Sequence, residues 1–261
     1  MLKKRLIGVV TIKDGRAVQS FGYDRYLPLG KPECLVENLD RWGADEILVQ
    51  VIDRSRKQLG PDFGLLERLG AIGLETPLIY SGGIRSVEDG VKLVQAGADR
   101  IVLDAILHDD LQQVRALSER LGAQALIASL PLSIIGANLA WLNYLTGRSS
   151  ALSEEVLNLM HMGMISEVLI SDWRHEGMSG RFEQKLVEQF PLKGVPMIAF
   201  GGISERTQMR RLMESAGVAA LAVGNFLSYR EHAIQEYKEV LRGMPVRLAT
   251  YESRYSMLSD V

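Results

Sequence analysis

Two carboxylates and a histidine stand where short apolar runs end. Asp53 follows ILVQVI, and Asp172, with His175 three residues on, follows EVLIS. Paired carboxylates work as acid and base when their surroundings hold the two pKa values apart, and an imidazole titrates near neutral pH. These three are the candidate catalytic groups, read against the ordinary alternative of solvated loop charge. Glycines form the second chemistry-bearing set: Gly82-Gly83, Gly201-Gly202, Gly224-Asn225 and Gly177. A loop without side chains lets backbone N–H groups close on a phosphate, and a following helix adds its dipole. The competing reading is a tight strand-to-loop turn. Asp104 ends the run RIVL beside the first pair and is counted with the phosphate-binding positions, although a carboxylate there repels a phosphate unless it stands aside. Arg54 and Arg56 in DRSRKQ are able to grip an anion.

The elements that position these residues come from an internal repeat. Residues 77–107 and 196–227 share a Pro, a short apolar run, Gly-Gly-Ile, an amphipathic stretch, a glycine turn and a second apolar run. A weaker echo links 41–54 with 161–174. Continuous apolar runs predict eight strands buried on both faces, near 5–11, 46–52, 77–81, 100–104, 124–130, 166–171, 196–200 and 218–223. Helical patterns fit between and after them: 32–43, 61–72, 86–97, 109–121, 152–163, 181–190, 205–216 and 230–242. Eight β/α units with two-fold repetition predict one (β/α)8 barrel, a TIM barrel with half-barrels of about 1–122 and 123–245 and a C-terminal extension over 246–261. An open doubly wound sheet is the runner-up and leaves the duplication unexplained. In a barrel, strand C-termini carry the working face. Arg5, Glu46, Arg100 and Glu167 instead stand at strand starts, so they converge at the opposite end, where a charge ring is also an ordinary way to close a barrel. The stretches 12–31 and 131–147 read as long loops, the second with a surface rich in apolar residues, either a partner surface or a satellite core.

Composition bounds the function classes. The 261 residues are 47% hydrophobic and 24% charged, which excludes a disordered chain. A net charge of −2 argues against a nucleic-acid partner. One cysteine, Cys34, expected to pack within the first helix, excludes an intrachain disulfide, and four scattered histidines form no metal motif. No metal or other cofactor is implied. Residues 121–147 carry no charge, but polar residues and glycines interrupt them, so a buried strand and loop are expected rather than a membrane span. The chain starts without a secretory pattern, and a cytoplasmic location is expected.

Taken together, IKDGRAVQ (12–19), GADEIL (43–48), SGGIRSVEDG (81–90), GADRIV (97–102), MSG (178–180) and FGGIS (200–204) resemble the barrel family of histidine biosynthesis, and within it the cyclase subunit of imidazole glycerol phosphate synthase. The resemblance implies a duplicated barrel holding a ligand with a phosphate at each half. It implies a glutaminase (glutamine amidotransferase) partner that delivers ammonia through the strand-start ring, with Asp99 at the partner interface. It also implies a lyase of amino-acid biosynthesis, but the family's two catalytic aspartates fall on Thr11 and Pro131, which leaves the enzymatic reading open. Three functions are carried forward: an ammonia-using cyclase; a divergent paralogue that serves as ammonia conduit or scaffold in amidation of a cell-surface sugar, within polysaccharide biosynthesis; and a non-catalytic phosphate-binding barrel.

Overall fold

A computed structural model describes residues 3–229 and 231–247. The chain opens with β1 (Arg5–Lys13), which runs on into an antiparallel ribbon of β2 (Arg16–Phe21) and β3 (Arg25–Gly30). It continues through α1 (Pro32–Arg41), β4 (Glu46–Val51), α2 (Phe63–Gly70), β5 (Leu78–Ser81), α3 (Val87–Gln95) and β6 (Arg100–Leu103). Two helices, α4 (Ile106–Asp109) and α5 (Leu111–Leu121), lead to β7 (Leu126–Ile135), which opens a second ribbon, β8 (Asn138–Asn143) and β9 (Arg148–Ser150). Then α6 (Glu154–His161), β10 (Glu167–Asp172), α7 (Lys185–Glu188), β11 (Met197–Phe200), α8 (Arg206–Glu214), β12 (Val218–Val223) and α9 (Ala233–Val240) follow.

Strands β1, β4, β5, β6, β7, β10, β11 and β12 pair in parallel in that order, and β12 returns to β1. The fold is an eight-stranded parallel barrel inside a layer of helices, a (β/α)8 TIM barrel. Because successive side chains alternate across a strand, each strand feeds two cores. Leu6, Val10, Ile47, Val49 and Ile101 face the helices. Ile7, Leu48, Ile79, Val102, Ile127, Leu169 and Ile198 fill the barrel interior. Two residues on from this interior layer five of the seven inward positions turn polar, Gln50, Ser81, Asp104, Ser129 and Ser171, while Val9 and Phe200 stay apolar.

Several boundaries differ from expectation for identifiable reasons. The stretch 12–31 is a ribbon because Asp14 and Gly15 both hold positive φ (50° and 72°) between the paired residues Lys13 and Arg16, the geometry of a two-residue hairpin turn. The stretch 131–147 is likewise β structure, with β7 pairing β8 and β8 pairing β9. The helix expected over 109–121 starts at Leu111, because Asp110, whose extended backbone (φ −154°) ends α4, accepts from Gln112 N and Gln113 N with its carboxylate to cap α5. The helix expected over 181–190 shrinks to α7. Its first amides are taken elsewhere: Arg181 N and Phe182 N donate to Gly202 O, and Glu183 N donates to Asp172 Oδ2. Cys34 is exposed on α1, not packed. Of the expected extension over 246–261, Val246 and Arg247 are described, with Val246 bridged to Lys4, and the rest lies outside the described residues, as does Arg230.

Candidate active site

At the strand starts the four charged side chains meet. Arg5 Nη2 lies 2.6 Å from Glu167 Oε1, and Arg5 Nη1 lies 3.2 Å from Glu46 Oε2. Arg100 Nη1 donates to Glu167 Oε2 at 2.8 Å and reaches Glu46 Oε1 at 3.4 Å. Each carboxylate thus contacts both guanidiniums, and the ring alternates in sign around the barrel axis. Burial pushes the Glu46 carboxyl up, against the pull of Arg5 and Arg100. Beside the ring, Asp99 is exposed, with one oxygen accepting from Leu78 N at 2.8 Å. Asp45 does the same for Leu6 N at 2.7 Å and also pairs with the buried Lys238 at 2.8 Å. The two Gly-Ala-Asp motifs therefore tie an amide at the start of a neighbouring strand.

At the opposite end, the polar layer floors a cavity of about 190 Å³. Gln50, Ser81, Asp104, Ser129 and Ser171 come from the strands, Tyr23 and Tyr26 from the first ribbon, Tyr144 from the second, and Arg56 and Trp173 from the loops after β4 and β10. Pro131 lies on its wall; Thr11 is buried at the matching position of β1. The four-residue turn between Asn143 and Arg148 carries Tyr144, whose hydroxyl donates to Asp104 Oδ2 at 2.7 Å. Arg56 lies over the Tyr144 ring, 5.9 Å from its centre. Burial raises Asp104 above the usual carboxylate range, although the Tyr144 hydroxyl and the Ala105 amide both favour its charged form. Ser171 Oγ and Trp173 Nε1 are buried with no hydrogen-bond partner.

The glycine pairs are geometric counterparts. Gly82 and Gly83 have φ of 123° and 74°; Gly201 and Gly202 have 103° and 74°. A Cβ on Gly82 would lie 2.1 Å from Val51 O, and one on Gly201 would lie 2.6 Å from Asp172 O. Glycine is therefore required for close packing on the preceding strand's end, whatever else it does. Beyond the second pair, Gly177, Gly201, Gly202, Gly224 and Asn225 line one recess. Glu176 shares it, accepting from Ser20 Oγ at 3.0 Å and Tyr23 N at 3.3 Å, while Asn225 Oδ1 accepts from Ser20 N at 3.1 Å. These bonds fasten the first ribbon across the strand ends. Burial pushes Glu176 up to about 7.

The candidate catalytic residues stand apart from the cavity. Asp53 pairs with Lys57 at 2.7 Å and accepts from Asp14 N. Asp172 is almost wholly buried and holds His175 Nδ1 at 2.8 Å and Glu183 N at 2.8 Å. The structure joins Asp172 to His175 but leaves both, and Asp53, off the cavity wall. Of the cavity lining, sequence reading named Asp104, Arg56 and Pro131 and passed over the rest. The signal was available: the inward register of Leu48, Ile127 and Leu169 continues two residues on to Gln50, Ser129 and Ser171. Among the described residues, no cluster of His, Cys, Asp and Glu is arranged to hold a metal, and no helix is long and apolar enough to cross a membrane.

A family profile described as "Histidine biosynthesis protein" matches residues 5–233. The chain belongs to that family. Its barrel is 29% identical over 255 residues to the imidazole glycerol phosphate synthase subunit HisF of Thermococcus gammatolerans, an alignment covering 95% of this chain and 99% of the relative. A putative imidazole glycerol phosphate synthase subunit hisF2 of Vibrio vulnificus is 27% identical over 256 residues, covering 96% and 93%. The HisF subunit of Staphylococcus aureus strain Newman is 27% identical over 254 residues, covering 95% and 100%. This member of the histidine biosynthesis family is thus similar to HisF subunits over nearly its whole length, at an identity that leaves room for changed chemistry.

Proposed function

We propose that this barrel binds a phosphorylated small molecule at its strand C-termini and receives ammonia from a glutaminase subunit docked on its strand-start face. The observation that carries the reading is an axial arrangement: a closed ring of Arg5, Glu46, Arg100 and Glu167, an apolar interior above it, and a polar cavity above that. An apolar interior suits neutral ammonia and penalises ions. Asp99, exposed beside the ring, is the candidate partner contact. Gly177, Gly201, Gly202, Gly224 and Asn225 form the phosphate recess.

The family's carboxylate positions hold Thr11 and Pro131, and neither side chain exchanges a proton as a carboxylate does. This favours a divergent paralogue over a working cyclase of histidine synthesis. His175, oriented by the buried Asp172, is the remaining candidate proton carrier; Asp53 is held by Lys57. A second reading rests on the same two substitutions: the barrel only conducts ammonia or serves as scaffold, and a separate enzyme uses the nitrogen, as in amidation of a cell-surface sugar. The test is turnover of the cyclase substrate with an ammonium salt, which needs no glutaminase. The expected result is turnover at least ~10⁴-fold below that of a HisF subunit, the scale at stake when acid–base groups are lost. Turnover within tenfold of a HisF subunit would restore the cyclase reading.

A further inference from the structure

The two halves of the barrel top differ at one matched position. After β12 the chain reads Gly224-Asn225; after β6, in the corresponding place of the repeat, it reads Asp104-Ala105. Both follow a Gly-Gly turn of nearly the same backbone geometry. In the first half, however, Asp104 Oδ1 accepts from Ala105 N at 2.5 Å, and Oδ2 accepts from the Tyr144 hydroxyl. The carboxylate takes the amide at the start of α4 that an incoming phosphate oxygen would use. No Lys or Arg lies within ion-pair distance of Asp104 among the described residues. A phosphate brought there would meet a carboxylate that already holds this amide and is not ion-paired.

The cavity beside Asp104 also has a chemistry of its own. Asp104 accepts hydrogen bonds and Trp173 Nε1 only donates them. Ser171 Oγ, on a residue 3% exposed, does either and has no partner. A hydroxyl is the group that satisfies all three, since it both donates and accepts. Tyr23 and Trp173 add apolar faces for a carbon skeleton. We infer that the ligand is a sugar-like monophosphate: its one phosphate sits on the Gly201-Gly202 and Gly224-Asn225 recess, and its hydroxyl-bearing end sits against Asp104, Tyr144 and Ser171. The inference deepens the phosphate reading above and rests on it. It departs from the two-phosphate ligand that family resemblance implies, because the carboxylate at the first-half cradle takes the amide at the start of α4, whereas the carboxylate lining the second recess, Glu176, takes Ser20 Oγ and Tyr23 N of the first ribbon instead.

Calorimetric titration of the whole chain with inorganic phosphate, followed in parallel by amide NMR, tests both layers. The expected stoichiometry is one phosphate per chain, with the amides of Gly202, Ile203 and Asn225 moving and those of Gly82 and Gly83 still. Fructose 6-phosphate is expected to bind roughly tenfold more tightly than fructose 1,6-bisphosphate, equivalent to about 1.4 kcal/mol. Asp104→Asn, which keeps the shape and removes the charge, is expected to erase that preference; Asp104→Ser serves if the first variant fails to fold. Two phosphates per chain, or a bisphosphate bound as tightly as the monophosphate by the unaltered chain, overturns the inference and leaves the phosphate reading standing. No phosphate bound at all overturns both.

Discussion

At the N-terminal end of the barrel, Arg5, Glu46, Arg100 and Glu167 answer one another's charge within a closed ring, whereas at the C-terminal end the half-buried Asp104 and the buried Glu176 have hydrogen-bond donors but, among the described residues, no ion-paired cation. The same fold thus treats ionisable groups in two ways. Paired charges offset part of each other's desolvation, although Glu46 Oε2, 3.2 Å from Arg5 Nη1, makes no hydrogen bond. Buried polar groups without full partners cost stability, and they persist where a ligand completes them. One end of this molecule is held by ion pairs, and the other leaves Ser171 Oγ and Trp173 Nε1 without a partner. The ring is therefore where substitution damages the fold most, and the cavity is where it damages the fold least.

Glu167→Ala is the severest test of this contrast. It removes the nearest partner of both Arg5 and Arg100 but leaves Glu46 to each, and we expect a loss of about 2 kcal/mol in urea unfolding, between the scales for an exposed and a fully buried pair. A loss well below about 1 kcal/mol would make the ring an ordinary solvated pair and erase the distinction between the two ends.

Glu176 gives an intermediate effect that is visible in its pH dependence. Its carboxyl is raised in the folded chain to about 7 from the usual 4.5, by burial first, against the Ser20 hydroxyl and the Tyr23 and Gly22 amides that favour its charged form. Between those values the folded chain holds a proton that the unfolded chain has released. Its contribution is therefore present below about pH 4.5, is lost as pH rises to about 7, and is level beyond. Glu176→Gln removes this slope, and at pH 8 the variant should exceed the parent by on the order of 1 kcal/mol. Parallel stability curves for the two proteins across that window would show that Glu176 is not the group responsible.

Ser171→Ala is expected to change least, by less than about 0.5 kcal/mol, because the hydroxyl it removes has no partner to lose. A loss above about 1 kcal/mol would mean that the hydroxyl is already satisfied and that the cavity end, like the ring, holds its polar groups by internal contacts.

Legibility from sequence divides along similar lines. The strand-start ring could be placed from spacing, because a side chain at a strand's first inward position has one direction to point in a closed barrel. The glycine pairs were equally visible, since the repeat prints them twice. The cavity was not. Its aromatic walls, Tyr23, Tyr26 and Tyr144, come from two stretches that look like loops until strand pairing is known. The candidate catalytic trio failed to converge on the cavity for a local reason: Asp53 and Asp172 lie just past inward residues, so their carboxylates turn to the loops and find Lys57, His175 and Glu183 N there.

By itself the sequence determined the eight-fold alternation of buried strands and amphipathic helices, and the end of the barrel to which each charged residue belongs. Those are consequences of periodicity, which is local and repeats along the chain. Only the tertiary structure decided which polar groups are satisfied and which are left over. That the Asp104 carboxylate takes its neighbour's amide and the Tyr144 hydroxyl, while Ser171 takes nothing, depends on two ribbons folding back across strand ends that are far away in sequence. Hydrogen bonding is directional and short in range. Whether a buried group finds a partner is set by ångström-scale placement, which no pattern of residue types contains.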